Sequence, residues 1–129
     1  MTLNGSTGIT TPGLVIDTAG YTEAVVAVTP TPVVSAATLV ITAGTVLTAT
    51  LSASTVCVFT MPTATAGKSF ILLLKQAAAT GNGTATFGSV KWSSAGAPTI
   101  TAAAGKMDIL TFIADGTNWY GSIAQGYTP

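Results

Sequence analysis

The sequence predicts an all-β domain, a sandwich or barrel of short strands, behind an extended N-terminal arm. Three observations carry this reading. From Ala36 onward the chain is dense in Thr, Val, Ile and aromatic residues, which suit a pleated surface because β-branched side chains have few rotamers to lose there. Turn residues separate these runs at roughly 8–12-residue intervals, the spacing of sandwiches and barrels. No stretch sustains helical spacing, and Ala77-Ala78-Ala79 and Ala102-Ala103-Ala104 are too short to nucleate a helix alone.

Taken in order, the predicted strands are Thr38 to Thr42, Val46 to Leu51, Thr55 to Met61, Ser69 to Gln76, Thr84 to Phe87, Val90 to Trp92, Thr99 to Thr101, Met107 to Ala114 and Trp119 to Gln125. Ala43-Gly44, Pro62, Ala66-Gly67, Gly81-Asn82-Gly83, Ala95-Gly96-Ala97-Pro98 and Gly105 mark the turns between them. Asp115-Gly116 is the sharpest signal, since glycine takes the positive φ that a tight hairpin demands. In that hairpin Leu110 and Phe112 share one face while Met107, Ile109 and Ile113 take the other. The run from Phe70 to Leu74 is apolar on both faces, which predicts cover on two sides, either by both layers of the fold or, the reading favoured for one side, by a neighbouring subunit.

Residues 1–35 read differently. Gly5, Gly8, Pro12, Gly13, Gly20, Pro30 and Pro32 oppose long continuous pairing. Two extended apolar pieces stand out, Gly13 to Ile16 and Ala24 to Thr29, and Thr29-Pro30-Thr31-Pro32 predicts a stiff, extended link. The expected organisation is therefore an arm over residues 1–35 and a β-sandwich domain over 36–129.

Charge bounds the function. Only 6% of the 129 residues are charged and they sum to zero, against roughly 25% in ordinary usage. Soluble monomers keep charged surfaces that repel one another, so a surface this poor in charge is expected to be covered by partners. With no Arg and no basic stripe, nucleic acid is not an expected partner. The longest apolar runs, Ala24 to Val28 and Phe70 to Leu74, fall far short of the ~20 residues of a membrane span. The N-terminus lacks the basic start and apolar stretch of a secretion signal, and the chain, starting at Met1, is read as complete.

Catalytic chemistry is not expected. There is no His, the usual base near neutral pH and the commonest metal ligand. The carboxylates Asp17, Glu23, Asp108 and Asp115 are scattered. Asp115 is accounted for by its turn and Asp108 by a strand end beside Lys106. Cys57 lies in the apolar run Val56 to Phe59 and reads as a small core residue. Gly81-Asn82-Gly83 lacks the following helix and lysine of a phosphate loop. No cofactor or metal is expected. Trp92, Trp119, Tyr120 and Tyr127 admit a different reading, stacking on a sugar ring, but such residues are also favoured interface anchors.

The segments Val90-Lys91-Trp92, Pro98 to Thr101, Gly105 to Phe112 and Asp115 to Gly121 form a pattern, with Phe59 to Pro62 and Phe70 to Gln76 upstream. The pattern resembles a β-sandwich module of tailed-bacteriophage structural proteins, found in capsid decoration (cement) proteins and tail-fibre tips. The resemblance covers residues 36–126. It implies an antiparallel, jelly-roll-like sandwich, assembly as a homotrimer and no enzymatic role. The expected function is that of a cement protein over capsomer junctions, made in the host cytoplasm and resident on the capsid surface. Its expected partners are the major capsid protein and other virion proteins, and the arm would add a strand to another subunit's sheet edge. The expected interface residues are Leu14, Val15, Ile16, Val25, Val26, Val28, Ile71, Leu73, Trp92, Tyr120 and Tyr127. The alternatives are a tail-fibre or head-fibre component contacting the host, and a carbohydrate-binding module using Trp92, Trp119 or Tyr120.

Overall fold

In a computed structural model, the structure describes residues 23–129. Nine strands follow one another: β1 (Val25–Ala27), β2 (Ala36–Thr38), β3 (Val46–Thr50), β4 (Val56–Thr60), β5 (Ser69–Lys75), β6 (Thr84–Phe87), β7 (Val90–Lys91), β8 (Met107–Ala114) and β9 (Trp119–Tyr127). They make a six-stranded sheet in the order β1-β3-β5-β8-β9-β7 and a three-stranded sheet in the order β2-β4-β6.

The chain alternates between the two layers. β1, β3 and β5 stack in parallel in the large sheet, and β2, β4 and β6 stack in parallel in the small one. Each passage from a large-sheet strand through a small-sheet strand and back is one turn of a flattened coil, a solenoid-like arrangement. The isolated parallel bridge between Val33 and Leu51 ties successive corners together. The antiparallel pairs β5/β8 and β8/β9 then close the large sheet.

The all-β class therefore stands, while the antiparallel, jelly-roll-like pairing expected throughout is seen only among β5, β8 and β9. Parallel neighbours need a crossover between them, and here each crossover runs through the opposite layer. Several strand ends differ from expectation by one or two residues, and two expected strands differ by more. β2 starts at Ala36 and ends at Thr38, and residues 99–101 form no strand. Backbone groups of Thr99 and Thr101 pair with side chains instead: the Thr101 amide donates to Asp108 Oδ2, and the two carbonyls accept from Gln125 and Gln76.

The expected arm divides as well. Residues 1–22 lie outside the described part, whereas residues 25–33 belong to the folded body. β1 pairs with β3, the Val28 amide donates to the Thr48 carbonyl, and Val28 and Val33 are buried. The prolines do not prevent this, because Pro30 and Pro32 sit at the bend between layers, where no ladder donor is needed. Thr31 Oγ1 donates to the Val28 carbonyl across that bend.

The core lies between the layers. In the large sheet the inward rows run in register from Val26 through Leu47 and Leu72 to Leu110 and Ile123. Each fully buried leucine in such a row contributes roughly 1.5–3 kcal/mol relative to exposure. Aromatic rings join the two sheets: Phe59 stacks on Phe87 at 5.1 Å, and Phe87 meets Phe112 at 5.5 Å. Phe112 in turn stacks on Phe70 at 4.8 Å, and Phe70 meets Trp119 edge-on at 5.1 Å.

Candidate interaction face

With the core fixed, the period-two alternation of the strands decides what points outward. On the large sheet one row runs from Val25 through Val46 and Ile71 to Thr111 and Ser122, and the next from Ala27 through Thr48 and Leu73 to Ile109 and Ala124. Beside them Ile113 lies between Ser69 and Tyr120, and Met107 lies between Lys75 and Tyr127. Val25 is 62% exposed, Ile113 56%, and Tyr120 and Tyr127 44% each. The charged residues of these rows, Lys75 and Lys91, sit beside Met107 and Tyr120 at opposite ends of the face. Its middle is uncharged, with Thr48 and Thr111 set among aliphatic residues.

Of the residues expected at an interface, Val25, Ile71, Leu73, Tyr120 and Tyr127 come together on this face. Val26 points inward beside Leu47, and Val28 is in the core. Trp92 is half-buried and packs edge-on against Phe87 and Phe112, both at 6.0 Å. Leu14, Val15 and Ile16 lie outside the described residues. Val46, Ile109 and Ile113 complete the face and were not among the expected interface residues. The signal for the last two was present, since the hairpin alternation sets Ile109 and Ile113 opposite Leu110 and Phe112.

The small sheet presents a different exterior. Thr38, Thr60, Thr84 and Thr86 point outward with Ala36, Val56 and Val58 between them. Threonine supplies the polar surface here in place of charge.

Two buried polar side chains hold the end of the fold next to Tyr127. Asp108 is 1% exposed, and its carboxylate accepts from the Thr101 amide at 2.7 Å and the Gly126 amide at 3.0 Å. The alternation of β8 turns Asp108 inward with Leu110 and Phe112, where it bonds two backbone amides and not Lys106, the neighbour beside which the sequence placed it at a strand end. Gln76 donates to the carbonyls of Gly83 and Thr101 and accepts from the Gly83 amide.

At the hairpin, Asp115 Oδ1 accepts from the amides of Thr117 and Asn118, and Tyr120 donates its hydroxyl to Oδ2 at 2.8 Å. The Asn118 and Thr117 amides, followed by the Tyr120 hydroxyl, hold the Asp115 carboxyl down at about 2, and the same carboxylate raises the Tyr120 hydroxyl above its usual value.

The chemistry available elsewhere is limited. Asp108 and Asp115 lie at opposite ends of β8, too far apart to act on one bond. Cys57 is fully buried, and burial pushes its thiol up to about 11, which disfavours the thiolate. The Gly81-Asn82-Gly83 loop uses its amides internally: Asn82 donates to the Ala102 carbonyl and Gly83 to Gln76. Among the described residues no group of three His, Cys, Asp or Glu side chains comes together, and no helix is long and apolar enough to cross a membrane. Of the aromatic residues considered for sugar stacking, Trp119 is 2% exposed and donates its indole N–H to the Pro62 carbonyl at 2.7 Å.

Comparisons with protein-family models, curated proteins and solved structures find no match for this chain.

Proposed function

We propose that this chain is a non-enzymatic structural protein of a phage virion, a capsid decoration protein that docks against other protein through the outer face of its large sheet. The observation that carries the docking is that face itself. Val25, Val46, Ile71, Leu73, Ile109 and Ile113 make this surface largely aliphatic, with Thr48 and Thr111 among them and charge only at its ends. Apolar patches of this kind mark protein interaction sites, and depletion of charge at the centre is the compositional sign of an interface core.

The assignment to a virion rests on the resemblance of residues 36–126 to phage structural modules. In this reading the closed two-layer stack takes the place of the jelly-roll-like sandwich of that resemblance. The protein assembles as a homotrimer over capsomer junctions on the capsid surface, with the major capsid protein as partner, after synthesis in the host cytoplasm. Each docked copy adds interface area that resists the outward pressure of packaged DNA. Neither nucleic acid nor membrane is a partner.

Copy number in purified virions tests the assignment. Quantitative proteomics is expected to find the chain in stoichiometric proportion to the major capsid protein. A few copies per particle would favour the fibre reading, and absence from the particle would end the assignment.

A further inference from the structure

Gln76 follows directly on β5 and is 4% exposed. Its side-chain amide holds a single residue from both sides. Oε1 accepts from the Gly83 N–H at 3.0 Å, and Nε2 donates to the Gly83 carbonyl at 2.8 Å. The other Nε2 hydrogen goes to the Thr101 carbonyl, also at 2.8 Å. Gly83 is buried, while Asn82 before it is exposed. Asn82 holds φ at +61° and donates its backbone amide to the Ala102 carbonyl at 2.7 Å.

Packing dictates this pair of residues. A Cβ at position 83 would come within 2.8 Å of Leu51 Cβ and 2.9 Å of the Ser52 carbonyl oxygen, so glycine is required. Position 82 takes the left-handed region, which asparagine enters more readily than most residues. The corner is therefore built as Asn-Gly, the dipeptide most prone to deamidation. In that reaction the Gly83 backbone nitrogen attacks Asn82 Cγ and closes a succinimide ring. The side-chain nitrogen leaves as ammonia, taking the proton that the Gly83 nitrogen gives up. Water then opens the ring at either carbonyl, leaving aspartate or, with the backbone rerouted through the side chain, isoaspartate. Glycine offers no side chain to hinder the attack. Here, however, the hydrogen of the attacking nitrogen is engaged by Gln76.

We infer that Asn82 is a latent deamidation site and that Gln76 suppresses its reaction by holding the Gly83 amide. To attack, the Gly83 nitrogen must lose its proton and swing toward Asn82 Cγ, and both movements break its bond to Gln76. Reaction thus requires local opening of the corner. Conversion would add a negative charge to a chain whose formal net charge is zero. Isoaspartate would also lengthen the backbone ahead of Gly83 and pull that residue off Gln76. The inference is independent of the capsid assignment, which rests on the outer face of the large sheet.

Timed incubation of the full chain at mildly alkaline pH tests it, with peptide mapping of aspartate and isoaspartate at position 82. Gln76→Leu removes the acceptor and is expected to deamidate there about tenfold or more faster than the unaltered protein. Gln76→Glu loses the amide donor but keeps an oxygen for the Gly83 N–H, and is expected to stay near the unaltered rate. Circular dichroism verifies that the compared proteins are folded. Equal rates in the unaltered protein and Gln76→Leu would overturn the inference. Equal acceleration in both variants would overturn it too, since general loosening of the corner would then account for the reaction. The unaltered protein alone covers the case in which the variants misfold. Its Gly83 amide is expected to exchange hydrogen, and its Asn82 to deamidate, about tenfold or more slowly in the folded chain than in denaturant. Equal rates in either measurement would overturn the inference as well.

Discussion

Gly121 on β9 lies directly against the indole of Trp92, so close that a Cβ at position 121 would come within 2.5 Å of the ring carbon Cζ3. The side chain of Trp92 thus covers the backbone of the neighbouring strand and reaches Phe87 and Phe112 over it. Gly121→Ala is expected to lower stability by about 1–3 kcal/mol, the usual cost of overpacking. Urea unfolding measures it. In a Trp92→Leu background the same substitution is expected to cost much less, because the clashing ring is gone.

The Asp108 carboxylate is satisfied by two backbone amides rather than by a cation. Asp108→Ala leaves the Thr101 and Gly126 amides without their acceptor, and is expected to cost roughly 2–4 kcal/mol. Gln76→Leu strands the Gly83 amide and the carbonyls of Gly83 and Thr101, with a loss of similar size. Both side chains bond Thr101, so a double-mutant cycle in chemical denaturation is expected to show coupling between them.

Thiol chemistry reports on the core. With Cys57 fully buried and its thiol pushed up to about 11 by desolvation, a disulfide reagent at pH 8 is expected to leave the native protein unmodified. In denaturant the same reagent is expected to titrate the single thiol completely.

The Asp115 turn sets a pH dependence at the acid end. Its carboxyl is held at about 2 in the folded chain, below the ordinary value of 3.8. The stabilisation it gives is therefore present above the ordinary value and is lost as pH falls through about 2. Asp115 is fully exposed, so the effect is best read by NMR titration of the side chain itself. Tyr120→Phe removes one of its donors and is expected to move the titration up toward 3.8, while Asp115→Asn is expected to bring the Tyr120 hydroxyl down to its usual range.

The strands were legible in the sequence to the extent that alternation alone determines them. β6 and β8 begin and end at the expected residues, and the assignment of Leu110 and Phe112 to one face of β8, with Met107, Ile109 and Ile113 on the other, matches the structure. Pairing partners were not legible, because side-chain parity fixes a face and says nothing about which strand lies alongside. The turn at Pro62, for example, serves equally for a hairpin and for a crossover between layers. β2 was shifted because Leu39 continues the apolar pattern after the ladder has ended. Val28 was expected outside because it follows other apolar residues in a proline-bounded segment, yet its amide and side chain both turn into the body. The interaction face was half legible: Ile71 and Leu73 announced it through a run apolar on both sides, whereas the contribution of Val46 required the register with Val25 and Ile71.

Sedimentation equilibrium tests the central claim most directly, comparing the unaltered chain with an Ile71→Asp/Ile113→Asp variant whose substitutions lie wholly on the outer face. The unaltered chain is expected to sediment at three times its 12.8 kDa mass, and the variant as a folded monomer with unchanged circular dichroism. A monomeric unaltered chain, or a variant that keeps the full assembly, would contradict the assignment of that face to protein contact.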